Sequence, residues 1–179
     1  MRHPERIAKL VVLNSSAFNT PNGKQLHWTI RFCSQSSLAA SLMEKLNAFS
    51  AASVILGVRK HRMPAQVKKG YKAPYHCASD RLAIVRFVQD IPFEESHVTN
   101  RTIQEISDSL YKLNRKPMLI CWGEKDFVFD LDFLREWQRR FPKADVKRFP
   151  LAGHYVLEDE PDEVCGYIKE FLEKSCNHA

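Results

Sequence analysis

Five consecutive apolar residues, Met118 to Trp122, end at Gly123, and a carboxylate, Asp126, follows three residues later. A run with no polar alternation fits a strand covered on both faces, and such strands belong to parallel sheets packed between helices. The stretch that contains it reads PMLICWGEKDFVFD, LDFLREWQRRFP and KADVKRFPLAGHYVLEDEP, from Pro117 to Pro161. Val146 to Phe149 forms a second short run, followed by Gly153-His154. Open α/β sheets place their chemistry just beyond the carboxyl ends of their strands. A carboxylate that orients an imidazole is the supporting half of a nucleophile–His–acid triad.

The rest of the chain is organised to match. Ile7 to Leu13 ends in an apolar, β-branched run and is read as a further strand buried on both faces. Asn14 to Gly23 is a loop by composition. Gln25 to Gly57 reads as helical, with Leu38, Leu42, Leu46 and Phe49 as an apolar stripe and Gly57 as its end. Arg59 to Lys72 is a basic segment interrupted by Pro64 and Gly70, and Tyr71 to Pro74 is read as irregular. Asp80 to Val88 fits a short helix stopped at Ile91-Pro92.

Thr99 to Leu113 is amphipathic, with Ile103, Ile106, Leu110 and Leu113 on one face. Asp130 or Asp132 can cap the next helix, which buries Leu134, Trp137 and Phe141 and stops at Pro142. Pro161 opens the last helix, whose face is Val164, Ile168, Phe171 and Leu172. Strands alternating with helices give an α/β fold with three parallel strands and flanking helices. The roughly eighty residues between Phe18 and Val98 are too long for a loop, so they form an inserted helical cap above the strand ends.

The net charge of +6 is concentrated in Arg59, Lys60, Arg62, Lys68, Lys69 and Lys72, with no Asp or Glu between them. That run reads as a solvated face. Without interleaved aromatics it does not make a nucleic-acid surface, so no nucleic-acid partner is expected. Cys33, Cys77, Cys121, Cys165 and Cys176 are odd in number and none are spaced C-x-x-C, which suggests neither a disulfide framework nor a zinc site. Reduced thiols fit a cytoplasmic protein. Arg2, His3, Glu5 and Arg6 leave no apolar stretch for a signal peptide, and Ala48 to Val58 is too short to span a bilayer. No cofactor or metal is implied.

For the acid, Asp126 competes with Glu124 in the same turn and with Asp130 and Asp132, which are better read as helix caps. Its expected role is to accept the Nδ1 proton of His154. Trp122 reads as core, and Asn14, at the end of the first strand, as a turn former. A hydrolase nucleophile sits in a G-x-S-x-G elbow or a variant with Asp or Cys. Glycines stand only at 23, 57, 70, 123, 153 and 166, and no two are four apart. Ser15 and Ser16 follow a strand but lack those glycines, Cys121 lies inside a strand, and Cys77 has no supporting pattern.

HPERIAKLVVLNSSAF, MLICWGEKDFVF and LAGHYVLEDEPDEV resemble the last third of the α/β-hydrolase core. YKAPYHCASDRLAIVRFVQDIP resembles the end of the cap in the haloalkane dehalogenase-like branch, which includes β-lactone decarboxylases. The resemblance implies residues 1–18 as a core strand, 19–95 (Asn19 to Glu95) as the cap, and 96–179 as the remaining core. It matches the family's acid to Asp126 and its base to His154. Some relatives place the acid after the preceding strand, where this chain has Asn14, Ser15 and Ser16.

The resemblance further implies a C-terminal portion of such an enzyme, lacking the earlier strands, the oxyanion loop and the nucleophile, which in this branch is usually an Asp. The intact enzyme is expected to act on a small, apolar substrate through a covalent intermediate. The missing N-terminal half is then a partner, and the isolated chain is inactive. The alternative is a non-catalytic, cap-bearing binding or regulatory module.

Overall fold

The computed structural model describes residues 3–23, 27–94 and 96–174. Arg2, Gln25, Glu95 and Cys176, which enter the readings above, lie outside the described residues. Three strands form one parallel sheet in the order β1 (Leu10–Leu13), β2 (Met118–Gly123), β3 (Asp145–Phe149). β1 pairs with β2 from Leu10↔Met118 to Leu13↔Cys121, and β2 with β3 from Leu119↔Asp145 to Gly123↔Phe149.

Every residue of β2 is buried, as the unbroken apolar run requires. Successive side chains point to opposite faces. Met118, Ile120 and Trp122 therefore join Phe18, Leu110, Leu113, Leu134, Trp137 and Phe141 on one side. Leu119 and Cys121 join Phe149, Ala152, Val156 and Val164 on the other. The first face is covered by Phe18, the 3-10 turn Leu110–Leu113 that extends α6 (Val98–Ser109), and α7 (Leu131–Arg140). The second is covered by α8 (Val156–Asp159) and α9 (Pro161–Lys174). Asp130 caps α7 by accepting the Asp132 N–H at 2.9 Å, and Pro161 opens α9, as predicted.

β1 departs from expectation. It is shorter than Ile7 to Leu13 and all four residues are only half-buried. The ladder begins where the Leu10 N–H reaches the Pro117 carbonyl, and among the described residues β1 has a neighbouring strand on one side only. α6 also ends earlier than predicted, and Ile106 faces outward while Ser107 takes the buried position.

The stretch read as one helical region is three helices, α1 (Trp28–Gln35), α2 (Ser37–Leu46) and α3 (Ala48–Leu56). The Ser36 side chain accepts the Ala39 N–H and so caps a new start. Asn47 adopts φ +52°, a left-handed conformation that asparagine tolerates and a helix interior does not. The predicted stripe Leu38, Leu42, Leu46 and Phe49 is exposed. α2 instead buries Ala39 and Met43, and Met43 packs on Ile84, Val85 and Val88 of α5 (Ala78–Gln89). The basic segment is α4 (Ala65–Lys72), with Pro64 at its start and Gly70 within it, and a 3-10 turn, Ala73–Tyr75, follows. No helix among the described residues is long and apolar enough to cross a membrane.

Candidate active site

The carboxyl ends of β1, β2 and β3 each deliver one loop to the same place. Asn14 leaves β1 at φ +25°, a conformation that asparagine accepts more readily than most residues. Its side chain is buried. It accepts the Gly123 N–H at 2.7 Å and donates to the Gly123 carbonyl at 2.9 Å, which pins the end of β2. The turn after β2 is then tied to the turn after β3. Glu124 N–H donates to the Phe149 carbonyl at 3.0 Å and Lys125 N–H to the Ala152 carbonyl at 2.8 Å. Only glycine fits at 123, because a Cβ there would lie 2.3 Å from the Gly153 carbonyl oxygen.

This stitching brings Asp126 and His154 together. His154 Nδ1 lies 2.8 Å from Asp126 Oδ2, and the carboxylate is fully buried while the imidazole is 29% exposed. Asp126 Oδ2 also accepts from Asn14 Nδ2 at 3.0 Å, and Oδ1 accepts the Val128 N–H at 2.7 Å. Both oxygens act as acceptors, as those of an ionised carboxylate do, and Oδ2 is placed to accept the Nδ1–H of His154. A buried carboxylate is tolerated only when its lone pairs are satisfied. His154 Nε2 makes no hydrogen bond among the described residues and is the nitrogen free to take a proton. Phe129 and Tyr155 flank the ring, with centroids 5.8 and 5.5 Å away.

The rival acids have other partners. Glu124 pairs with Arg148 at 2.7 Å, Asp130 caps α7, and Asp132 pairs with Arg135. Trp122 is core, as read from sequence. Asn14, a turn former by sequence, is in addition a direct partner of the acid. Only its position at a strand end hinted at that.

None of the candidate nucleophiles is bonded to His154 among the described residues. Ser16 Oγ donates to the Phe18 carbonyl at 2.7 Å, the Ser15 carbonyl accepts from Trp137 Nε1 at 2.8 Å, and neither bonds His154. Cys77 stands at the start of α5 beside Asp80. Cys121 is sealed in β2, where burial pushes its thiol up to about 11, away from the reactive thiolate. The described residues contain no cluster of three His, Cys, Asp or Glu side chains suited to a metal ion. A polar cleft of about 440 Å³ lies apart from the pair, lined by Asn19, Gln104, Ser107, Glu136 and Arg140 among others.

A buried carboxylate, an imidazole hydrogen-bonded to it and an open Nε2 thus meet at the carboxyl end of a parallel sheet. Residues 1–161 match the family model for the alpha/beta hydrolase fold. The chain is 40% identical over 171 residues to a cis-3-alkyl-4-alkyloxetan-2-one decarboxylase of Shewanella oneidensis, covering 96% of this chain and 54% of that protein. A protein of the same name from Xanthomonas campestris is 34% identical over 175 residues, covering 98% and 58%. The haloalkane dehalogenase DatA of Agrobacterium tumefaciens superposes with a TM-score of 0.80 at 14% identity, over 97% of this chain and 60% of that one. The chain thus spans a little over half the length of these curated relatives. With its sheet, its flanking helices and the family match over most of its length, the chain belongs to the α/β-hydrolase fold family, and within it is related to the oxetanone decarboxylases and haloalkane dehalogenases.

Proposed function

We propose that this chain carries the acid and base of a nucleophile–His–acid active site, and that a segment outside these 179 residues supplies the nucleophile and the oxyanion donors. The observation that carries the reading is the 2.8 Å contact of His154 Nδ1 with a fully buried Asp126, which leaves Nε2 open. In the complete site, the nucleophile bonds an electrophilic substrate carbon and the leaving group departs with the bonding pair. His154 Nε2 then takes a proton from the water that cleaves the covalent ester, and Asp126 stabilises the imidazolium. The flanking rings of Phe129 and Tyr155 suit a small, apolar substrate. Two relatives at 40% and 34% identity bear the oxetan-2-one decarboxylase name, so a strained β-lactone is the first substrate class and a haloalkane the second.

The test is a fusion. The N-terminal part of the Shewanella oneidensis relative that this chain does not match is joined ahead of residue 1, and consumption of a cis-3,4-dialkyl oxetan-2-one is measured together with formation of the 3-hydroxy acid that cleavage of the covalent ester by water releases. The expected result is turnover by the fusion and none by the chain alone. A soluble fusion that binds the lactone without turning it over would favour the non-catalytic module.

A further inference from the structure

Five residues after the base stands a second buried carboxylate that the reading above does not use. Asp159 is 1% exposed. Its oxygens accept three backbone N–H groups from two distant stretches: Gly153 at 2.7 Å, Lys60 at 2.9 Å, and Arg59 at 2.9 and 3.1 Å to the two oxygens. Gly153 immediately precedes His154. Arg59 and Lys60 leave the end of α3, in the helical layer. One carboxylate therefore holds both the loop of the base and the exit of the helices.

The neighbouring contacts run the same way. The Tyr155 N–H donates to the Gly57 carbonyl at 2.8 Å. Tyr71 of α4 stacks on Tyr155 with ring centroids 5.2 Å apart and donates its hydroxyl to Glu158 at 2.9 Å. Lys60 Nζ pairs with Glu160 at 2.6 Å. The backbones meet without clearance, since a Cβ on Gly57 would fall 2.7 Å from the Tyr155 ring and one on Gly153 would fall 2.6 Å from the Gly57 carbonyl oxygen.

We propose that Asp159 is a positioning residue for His154 and the joint through which helices α3 and α4 are held in register with that base. The proposal rests on the reading of His154 as the base. A carboxylate suits the place because it offers acceptors only, and three N–H donors converge on it. An amide would turn an NH₂ group toward at least one of those donors and leave it unpaired in a buried site. Buried, doubly tethered groups of this kind fix a side chain within the narrow tolerance that proton transfer requires.

The experiment uses the 179-residue chain with ¹⁵N labelling. Hydrogen exchange is followed at the Gly153, Arg59 and Lys60 amides and at the imidazole Nδ1–H of His154. Asp159→Asn is expected to speed exchange at all three amides at least tenfold and to broaden or abolish the His154 Nδ1–H signal, with the amides of α9 unchanged. Lys60→Ala removes the exposed ion pair and spares the clasp, so it is expected to leave the Nδ1–H signal as in the unsubstituted chain. Fast amides with an unaltered Nδ1–H signal in Asp159→Asn would overturn the proposal.

Should Asp159→Asn fail to fold, native-state exchange of the unsubstituted chain decides. The three amides and the Nδ1–H are expected to open as one unit, with one denaturant dependence. Arg59 and Lys60 opening well before Gly153 would contradict it. None of these signals depends on turnover, so the outcome is independent of whether the fused protein is active.

Discussion

The sheet end around Asp126 and the helical layer of α1 to α5 are built on opposite terms. At the sheet end every polar group of the acid is satisfied, and the turn glycine admits no side chain. In the helical layer Trp28 is 71% exposed, Phe87 is 76% exposed, and the stripe Leu38, Leu42, Leu46 and Phe49 faces outward. The polar contacts of the first region are closed within this chain, whereas the second leaves large apolar side chains uncovered.

Substitutions can break that contrast, and the largest effects belong to the sheet end. In the fused protein, Asp126→Asn should lower kcat about 10⁴-fold, because the amide favours the wrong tautomer of His154. The measurement is steady-state lactone consumption, and a loss under tenfold would remove Asp126 from the relay. Asn14→Ala should cost about 10- to 100-fold in the same assay, through a misplaced acid rather than a lost one.

Stability separates the regions in the chain alone. Ile120→Ala in β2 should cost about 2–5 kcal/mol in urea unfolding, as expected for a fully buried core side chain. Leu42→Ser in α2 should stay within about 0.5 kcal/mol and reduce self-association, since that side chain is exposed. Equal costs at the two sites would mean that the stripe is covered after all.

The smallest effect is a pH term. Glu136 of α7 is held down to about 2, first by its hydrogen bond to Arg139 and then by Arg140. Its folded value lies below the ordinary 4.5, so its contribution is present above that value and lost as pH falls toward about 2. Glu136→Gln should flatten the stability profile over that interval and lower stability at neutral pH, where the contribution is fully present.

Much of the sheet was legible because β2, β3 and α7 carry their own local signals: an unbroken apolar run, a short strand before Gly153, and an Asp130 cap. The pair Asp126 and His154 was legible for the same reason, since each stands just past a strand. The helical layer was not. Its periodicity shows that an apolar face exists but not which face is covered, and Ala39 and Met43 are buried where Leu38 and Leu42 were expected. The breaks at Ser36 and Asn47 depend on one side-chain cap and one left-handed residue. Asn14 acts through partners 109 to 112 residues away, Asp159 joins Gly153 to partners 99 to 100 residues away, and nothing adjacent in sequence sets Asp159 apart from Glu158 and Glu160. The basic run read as a solvated face meets that acidic triplet through Lys60 and Tyr71.

The decisive measurement is a trapping experiment. His154→Gln in the fused protein should leave the nucleophile competent and stop cleavage of the ester, so the substrate-derived group accumulates on the protein. Intact-mass and peptide mass spectrometry would locate it. The expected result is an adduct on the added N-terminal segment, with none on residues 1–179 and none when the chain is treated alone. A stoichiometric adduct on any residue of this chain would show that it holds its own nucleophile and would contradict the division of the site proposed for it.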